Sequence, residues 1–426
     1  MGILATDRRV LTLAFARMID SVANSFLVVV LPQFLDEVVL DVPGGGGELL
    51  GIAVTQSVLI GVALSLFGFL NSFGQPFAGR LSDRTGKRRV FILSGLALLG
   101  VASGAYAFVE SYPAILFLRL LQGLGAALTI PATVALVNEL ATDATRGGNF
   151  GVFNTFRLAG FGFGPLAAGV LLAYGPYATP VGSITGFTAA FGVALLGAAV
   201  SFGLVAAFVS DPERTAANAG EDLSVSVTDP EDAGLDPVFT LGVATLFMAI
   251  GIGLFATLEP QLSDRLSQGS VLFSLEFAAV VIANVVFQAP IGRASDRYGR
   301  RPFIVAGFVL LAPALLAQGF VTTPAWMVAM RFVQGLAVAA VFAPSLALAG
   351  DLAKEGQSGT KLSILTMAFG LGTAIGPLAS GFLVAYGFVW PFAFGAVLAV
   401  VGLVLVYTQV EETVADPEVP GVVAGD

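Results

Sequence analysis

Apolar residues in this chain come in long runs broken by short polar stretches. Twelve runs stand out, at roughly 10–35, 50–78, 90–109, 113–137, 149–174, 184–209, 238–260, 271–291, 302–321, 324–349, 362–386 and 388–409. A helix of about 20 residues rises about 30 Å, enough to cross the hydrocarbon core of a bilayer. The runs show no strict alternation of apolar and polar positions, which separates them from the strands of a membrane barrel. The pattern predicts an all-α membrane protein with twelve transmembrane helices. One long polar segment, Asp211 to Pro237, divides them six and six. It is rich in Asp, Glu, Ala and Pro without helical periodicity, so it reads as a flexible cytoplasmic linker. The expected organisation is a six-helix bundle at 1–210, the acidic linker at 211–237, a second six-helix bundle at 238–410 and an acidic cytoplasmic tail at 411–426. A glycine run, Gly44 to Gly47, marks the first outside loop.

Composition sharpens this picture. Only 12% of the residues are charged and 56% are hydrophobic, with a mean hydropathy of +0.89. The 52 glycines suit close packing of membrane helices. The first apolar run is too long for a signal peptide and lacks a small-residue cleavage site, so it is expected to stay in the membrane. With both termini cytoplasmic, every Lys and Arg except Arg17, Arg119, Arg157, Arg331 and Arg265 falls in a cytoplasmic segment, so the positive-inside rule sets that orientation in the cell (plasma) membrane. Cysteine and histidine are absent. Thiol chemistry is therefore excluded, and any proton chemistry falls to carboxylates. The net charge is −9, with 17 Arg against three Lys. The acid excess lies in Asp211 to Asp236 and in the tail after Val410. An acidic, Lys-poor surface suggests a high-salt organism, a halophilic archaeon, against the plainer reading of an acidic linker.

The second half of the chain repeats the first. Gly79 to Arg89 read GRLSDRTGKRR and Gly292 to Arg301 read GRASDRYGRR. Arg119-x-x-Gln122-Gly123 recurs as Arg331-x-x-Gln334-Gly335, and Gly160-x-x-x-Gly164-Pro165 as Gly372-x-x-x-Gly376-Pro377, both 212 positions on. Asn71 and Gln75 match Asn284 and Gln288, and Pro32-Gln33 resembles Pro260-Gln261. Matches in one order at a near-constant offset indicate tandem duplication. The first pair of clusters supplies turn glycines, an Asp able to accept from helix amides or an Arg, and basic anchors.

These clusters resemble motif A of the major facilitator superfamily, and the resemblance covers essentially the whole chain. It implies two six-helix bundles related by an axis along the membrane normal, which rock around a central cavity in alternating access. In that family motif A is a cytoplasmic latch favouring the outward-facing state. By position it consists here of Gly79, Asp83, Arg84, Gly86 and Arg88, with Gly292, Asp296, Arg297, Gly299 and Arg300 as the second copy. Arg119, Gln122 and Gly123 resemble motif B, linked to proton coupling; the alternative for Arg119 is a side chain that snorkels to the outer surface. Gly160, Gly164, Pro165 and Gly169 resemble motif C, which marks exporters. Ala168-Gly169 stands where the family pattern often has two glycines.

Buried charges are the candidate chemistry. Asp20 lies about eleven residues into the first helix, roughly 15 Å deep. A carboxylate at that depth is expensive and can pick up a proton. Two readings are open: Asp20 alternates between a proton and substrate or an Arg (Arg119 or Arg17), or it forms a static pair with Arg17 or Arg157. The coupling reading takes Asp20 and Arg119 as its residues. Glu276 and Glu259 are second-rank: either can pair with Arg331, and Glu259 can equally sit in water at the helix end. Asn24, Gln56, Glu276 and Arg331 are candidates for the substrate cavity, with Asn284 and Gln288 beside them. The many Phe residues are read as packing.

The reading that follows is a secondary active transporter, a proton-coupled exporter of small, largely apolar compounds, similar to the drug:H⁺ antiporter branch. The alternative is a proton- or sodium-coupled uptake symporter for a sugar or organic acid. A non-transporting membrane sensor is the remote third. No residue pattern suggests an enzyme, a metal site, a cofactor, a nucleotide-binding loop or a nucleic-acid partner. The expected partners are a small-molecule substrate, H⁺ or Na⁺ and the lipid bilayer, with a monomer as the family expectation.

Overall fold

The computed structural model describes residues 7–40, 48–49, 52–53, 55–140, 146–180, 182–212, 227–228, 234–352 and 358–413. The first half contains α1 (Arg8–Leu40), a short hairpin of β1 (Glu48–Leu49) and β2 (Ile52–Ala53), α2 (Gln56–Thr85), α3 (Arg88–Ala105), α4 (Tyr112–Glu139), α5 (Arg146–Tyr174), a second hairpin of β3 (Tyr177–Thr179) and β4 (Gly182–Ile184), and α6 (Gly186–Phe208). The second half contains α7 (Pro237–Gly253), α8 (Glu259–Leu266), α9 (Ser270–Tyr298), α10 (Arg300–Gln318), α11 (Pro324–Asp351), α12 (Ser358–Leu383) and α13 (Val389–Gln409). Twelve of these helical stretches are long and apolar enough to cross a membrane.

The packing repeats as the sequence does. In the first half α1 lies on α5 and α6, α2 on α4, and α3 on α4 and α6. In the second half α7 lies on α12 and α13, α9 on α11, and α10 on α11 and α13. The halves meet through a symmetric pair of contacts, α2 with α12 and α5 with α9. Small residues let these backbones approach. A methyl added at Gly61 would overlap the environment of the Pro377 carbonyl, one at Gly381 the Ser57 carbonyl, and one at Gly169 the Ser274 hydroxyl.

Several boundaries differ from the sequence pattern. α2 runs on to Thr85 and α9 to Tyr298, so most of each charged cluster forms the last turns of a helix rather than a loop. The second helix starts at Gln56 rather than near residue 50, because Glu48–Ala53 pair as a hairpin. The sixth starts at Gly186, after the β3–β4 hairpin. The seventh run does not continue as one helix to residue 260. It tightens to a 3-10 turn over Leu254–Thr257 and restarts as α8, whose sequence EPQLSDRL opens with Pro260 in its first turn. Proline lacks the donor a continuing helix needs there but suits a helix start. The Gly44–Gly47 run, most of the 211–237 segment and the tail from residue 414 lie outside the described residues. The segment's two ends are tied down. Asp211 Oδ1 accepts from the Arg89 amide at 2.8 Å, and the Leu235 amide donates to Gln409 Oε1 at 3.1 Å.

The buried core is unequal at the two ends of the molecule. At the end away from the GRLSDRTGKRR and GRASDRYGRR clusters, one apolar cluster joins both halves, including Phe26, Leu31, Ile60, Phe191, Phe255 and Phe273. At the charged end there are two separate clusters. One, around Leu13, Ile92 and Leu136, belongs to the first half. The other, around Leu241, Phe308 and Val341, belongs to the second. Among the described residues the halves are welded at the far end and share no apolar core at the charged end.

Candidate functional site

At the charged end each motif A copy turns inward to its own half. Gly86 takes a left-handed conformation (φ 65°) that ends α2, with its amide donating to the Ser82 carbonyl; Gly299 (φ 100°) makes the matching turn between α9 and α10. Both conformations favour glycine. Arg88 is buried and pairs with Asp83. It also donates to Glu139 Oε1 from Nε (3.1 Å) and Nη2 (2.8 Å), and to Ser82 Oγ at 3.0 Å. Arg300 pairs with Asp296 at 3.4 Å and with Asp351 at 2.7 Å. Arg89 and Arg301 bind the ends of α6 and α13 in parallel fashion, through the Ala206 and Tyr407 carbonyls. Arg84 and Arg297 are exposed. Among the described residues no ion pair crosses between the halves here.

Asp20 is buried at 6% exposure and pairs with Arg17, one turn earlier on α1. Both line a small cavity inside the first half with Leu13, Ile92, Leu96, Thr129, Thr133 and Val205. Arg157 is not Asp20's partner; its Nε and Nη2 donate to Asn154 Oδ1 at 3.1 and 2.9 Å. Nor is Arg119. The two proposed coupling residues are therefore not brought together, because Asp20 finds its counter-charge on its own helix.

Arg119 does not snorkel; it is buried at 3% exposure. Its Nε donates to the Ala63 carbonyl (3.0 Å), its Nη2 to the Leu64 carbonyl (3.4 Å) and its Nη1 to Gln122 Oε1 (3.0 Å). The Phe67 ring lies under it at 4.7 Å. Tyr106 and Ser103 complete the node, donating to and accepting from Gln122. Arg331 repeats the arrangement. Its Nε donates to the Glu276 carbonyl (3.3 Å) and its Nη1 to Gln334 Oε1 (2.7 Å), with the Phe255 ring at 4.0 Å and the Phe277 ring at 5.9 Å. Gln334 donates on to the Gly251 carbonyl, and Gln318 donates to Gln334. The Glu276 carboxylate does not hydrogen-bond Arg331. It accepts from Gln268 Nε2 at 3.0 Å.

Gly160 and Gly164 face α1, where a methyl would strike the Met18 carbonyl and the Ser25 hydroxyl, while Gly169 faces α9. Pro165 lies within α5. This helix thus packs against its own half with one set of glycines and across to the other half with the last. Gln56 begins α2 at the far end and is half-buried; the Asn24 side chain lies outside the described residues. Gln261 of α8 donates to Ser57 Oγ across the halves at 2.7 Å. Gln268, Gln318 and Tyr106 were not singled out from sequence. A signal for two of them exists: Tyr106 and Gln318 sit 212 apart, the offset of the Arg-Gln pairs they serve.

The sequence profile of the Major Facilitator Superfamily matches residues 13–259 and 241–423. The human synaptic vesicular amine transporter is 26% identical over 359 residues, which cover 82% of this chain and 65% of that protein. The match thus spans less than two thirds of that relative's length. Multidrug resistance protein 2 of Bacillus subtilis is 24% identical over 351 residues, 81% of this chain and 84% of that protein. A solved structure of a D-xylose–proton symporter superposes with a TM-score of 0.74 at 16% identity, over 95% of this chain and 97% of that one. At that identity the likeness speaks for the fold alone.

Proposed function

The chain belongs to the major facilitator superfamily, and from that premise we propose that it is a secondary active transporter that exports small, largely apolar compounds in exchange for protons. The charged end, with both termini, faces the cytoplasm of the cell membrane. The observation that carries the reading is the unequal closure of the two ends: one shared core at the far end, two separate cores at the charged end. With the charged end inside, this is an inward-facing conformation, and closing that gap while parting the far end is the alternating-access step. Asp20 carries the exchangeable proton. Ionised, it pairs with Arg17; protonated, it releases Arg17 toward the cavity the two residues line. Export is favoured by the α5 glycines and by the likeness to a multidrug resistance protein.

Purified protein in liposomes with an internal pH dye tests this reading. Addition of lipophilic cations under an imposed proton gradient should trigger proton efflux. Asp20→Asn should fold normally and abolish that efflux; unimpaired coupling in the variant contradicts the role given to Asp20. A second reading, coupled uptake of a sugar or organic acid, draws on the surplus of Arg17, Arg119 and Arg157 over Asp20 in the first half. Proton movement in the same direction as such a solute would establish it instead.

A further inference from the structure

The second half holds a carboxylate where the first half has none. Offset by 213, Glu276 occupies the position of Ala63. In each half the Arg of the node donates its Nε to the backbone carbonyl of that residue and its Nη1 to the Gln three places on. The first half shows that the fold holds such an Arg without any carboxylate, by carbonyls, an amide and a ring. The Glu276 side chain is therefore not needed to hold Arg331, which has two rings of its own.

We propose that Glu276 is a second proton-binding carboxylate, loaded from the far end beneath the α8–α9 connection. The proposal rests on the transport reading above. Glu276 is fully buried, at 0% exposure, and a carboxylate in that setting needs a partner for each oxygen. Oε2 has Gln268; Oε1 has none, and Gln268 Oε1 and Arg331 Nη2 are likewise unpartnered among the described residues. Two neighbouring side chains that each present an unpartnered oxygen are the setting that one added proton resolves, because it converts an acceptor into a donor. The loading step balances simply: a hydronium on the far side transfers its proton to Glu276 Oε1 and leaves as water, and the reverse transfer regenerates the carboxylate. Arg331 keeps its charge throughout. Ionised Glu276 neutralises it, and protonated Glu276 leaves the second half in the state the Arg119 node already displays.

Among the described residues the surrounding charges are few. Arg331 comes from α11. α8 contributes three: Glu259 accepts from Ser263 Oγ, Arg265 donates to the Val321 carbonyl and stacks on Phe388, and Asp264 is the third. The face of α5 against α9 carries Gly162 and Gly169, and α5 has no charged residue after Arg157. Gln268 follows Ser267, whose left-handed backbone (φ 49°) ends α8, and α8 carries the Gln261 bridge to Ser57 of the first half. Glu276 thus lies directly under the segment that must lift when the far end opens.

Infrared difference spectroscopy of the reconstituted full chain across a pH series, together with proton-to-substrate counting in liposomes, tests the proposal. The unmodified chain should show a buried carboxylic acid band that titrates. Glu276→Gln and Glu276→Ala, the latter recreating the first-half pattern, should each lose that band while Asp20→Asn retains it. In both Glu276 variants the proton-to-substrate ratio should fall by roughly half. A band and a ratio unchanged in both folded variants would overturn the proposal. Absence of substrate-linked proton movement in the unmodified chain strikes the transport reading instead, and the infrared titration still decides whether Glu276 binds a proton.

Discussion

The Arg119 node and the Arg331 node are the same construction built twice with one decisive change. Each sets an Arg on the fourth long helix of its half against a backbone carbonyl, a Gln one turn on and an aromatic ring. Around Arg119 the neutral partners are complete. Around Arg331 a carboxylate is added at Glu276, and the node carries unpartnered atoms on Glu276, Gln268, Gln318 and Arg331. At this node the duplicated halves therefore diverge in charge rather than in the arrangement around the Arg. The first half supplies a finished scaffold, and the second the same scaffold with an ionisable group left incompletely satisfied.

The largest expected difference between the two nodes is in stability. Arg331→Met should destabilise the protein by about 3–5 kcal/mol, because it strands a fully buried Glu276 carboxylate. Arg119→Met strands only neutral groups and should cost about 1–3 kcal/mol. Thermal unfolding in one detergent measures both, and adding Glu276→Ala should recover part of the Arg331→Met loss. Equal losses at the two sites would break the comparison. A smaller effect is expected at the glycines beside the nodes. A methyl at Gly335 would overlap the Val280 carbonyl and lie 2.8 Å from Ala283 Cβ, whereas at Gly123 the nearest atoms are the Phe67 carbonyl at 2.8 Å and Leu70 Cβ at 3.0 Å. Both Ala substitutions should destabilise by about 1–3 kcal/mol, Gly335→Ala the more. The smallest effect is Tyr106→Phe. It removes one 3.2 Å hydrogen bond to Gln122, which keeps Arg119 as a donor, so a loss near 1 kcal/mol is expected in the same assay.

Much of the fold is legible in the sequence because membrane helices announce themselves by length and hydropathy. The duplication adds the pairing of halves. The break at Leu254–Leu258 is not legible in the same way, since those residues are as apolar as the helix they interrupt; only Pro260 and the polar stretch after it hint at α8. The two hairpins escape for a similar reason: each is only a few residues of polar and apolar character at the rim of an apolar run. Among candidate residues, the identity of the buried charges follows from their place in apolar helices, but their partners do not. Asp20 has three arginines within sequence reach of the argument, and only the one-turn spacing to Arg17 on α1 settles on the pair formed. Arg119 is held largely by backbone carbonyls, which every residue carries and no sequence pattern marks. Glu276 turns from Arg331 to Gln268, a contact made by the α8–α9 connection that the apolar pattern does not foresee.

The central claim is that the welded and the open ends exchange roles. The sequence has no cysteine, so pairs of introduced cysteines can carry spin labels without background. Labels at Thr85→Cys with Tyr298→Cys report the charged end, and labels at Phe108→Cys with Phe320→Cys report the far end; all four positions are exposed. Pulsed electron–electron distance measurements in liposomes, with and without a proton gradient and transported compound, should show the charged-end distance shortening as the far-end distance lengthens. Distances that stay fixed, or that change in the same direction, would contradict the account.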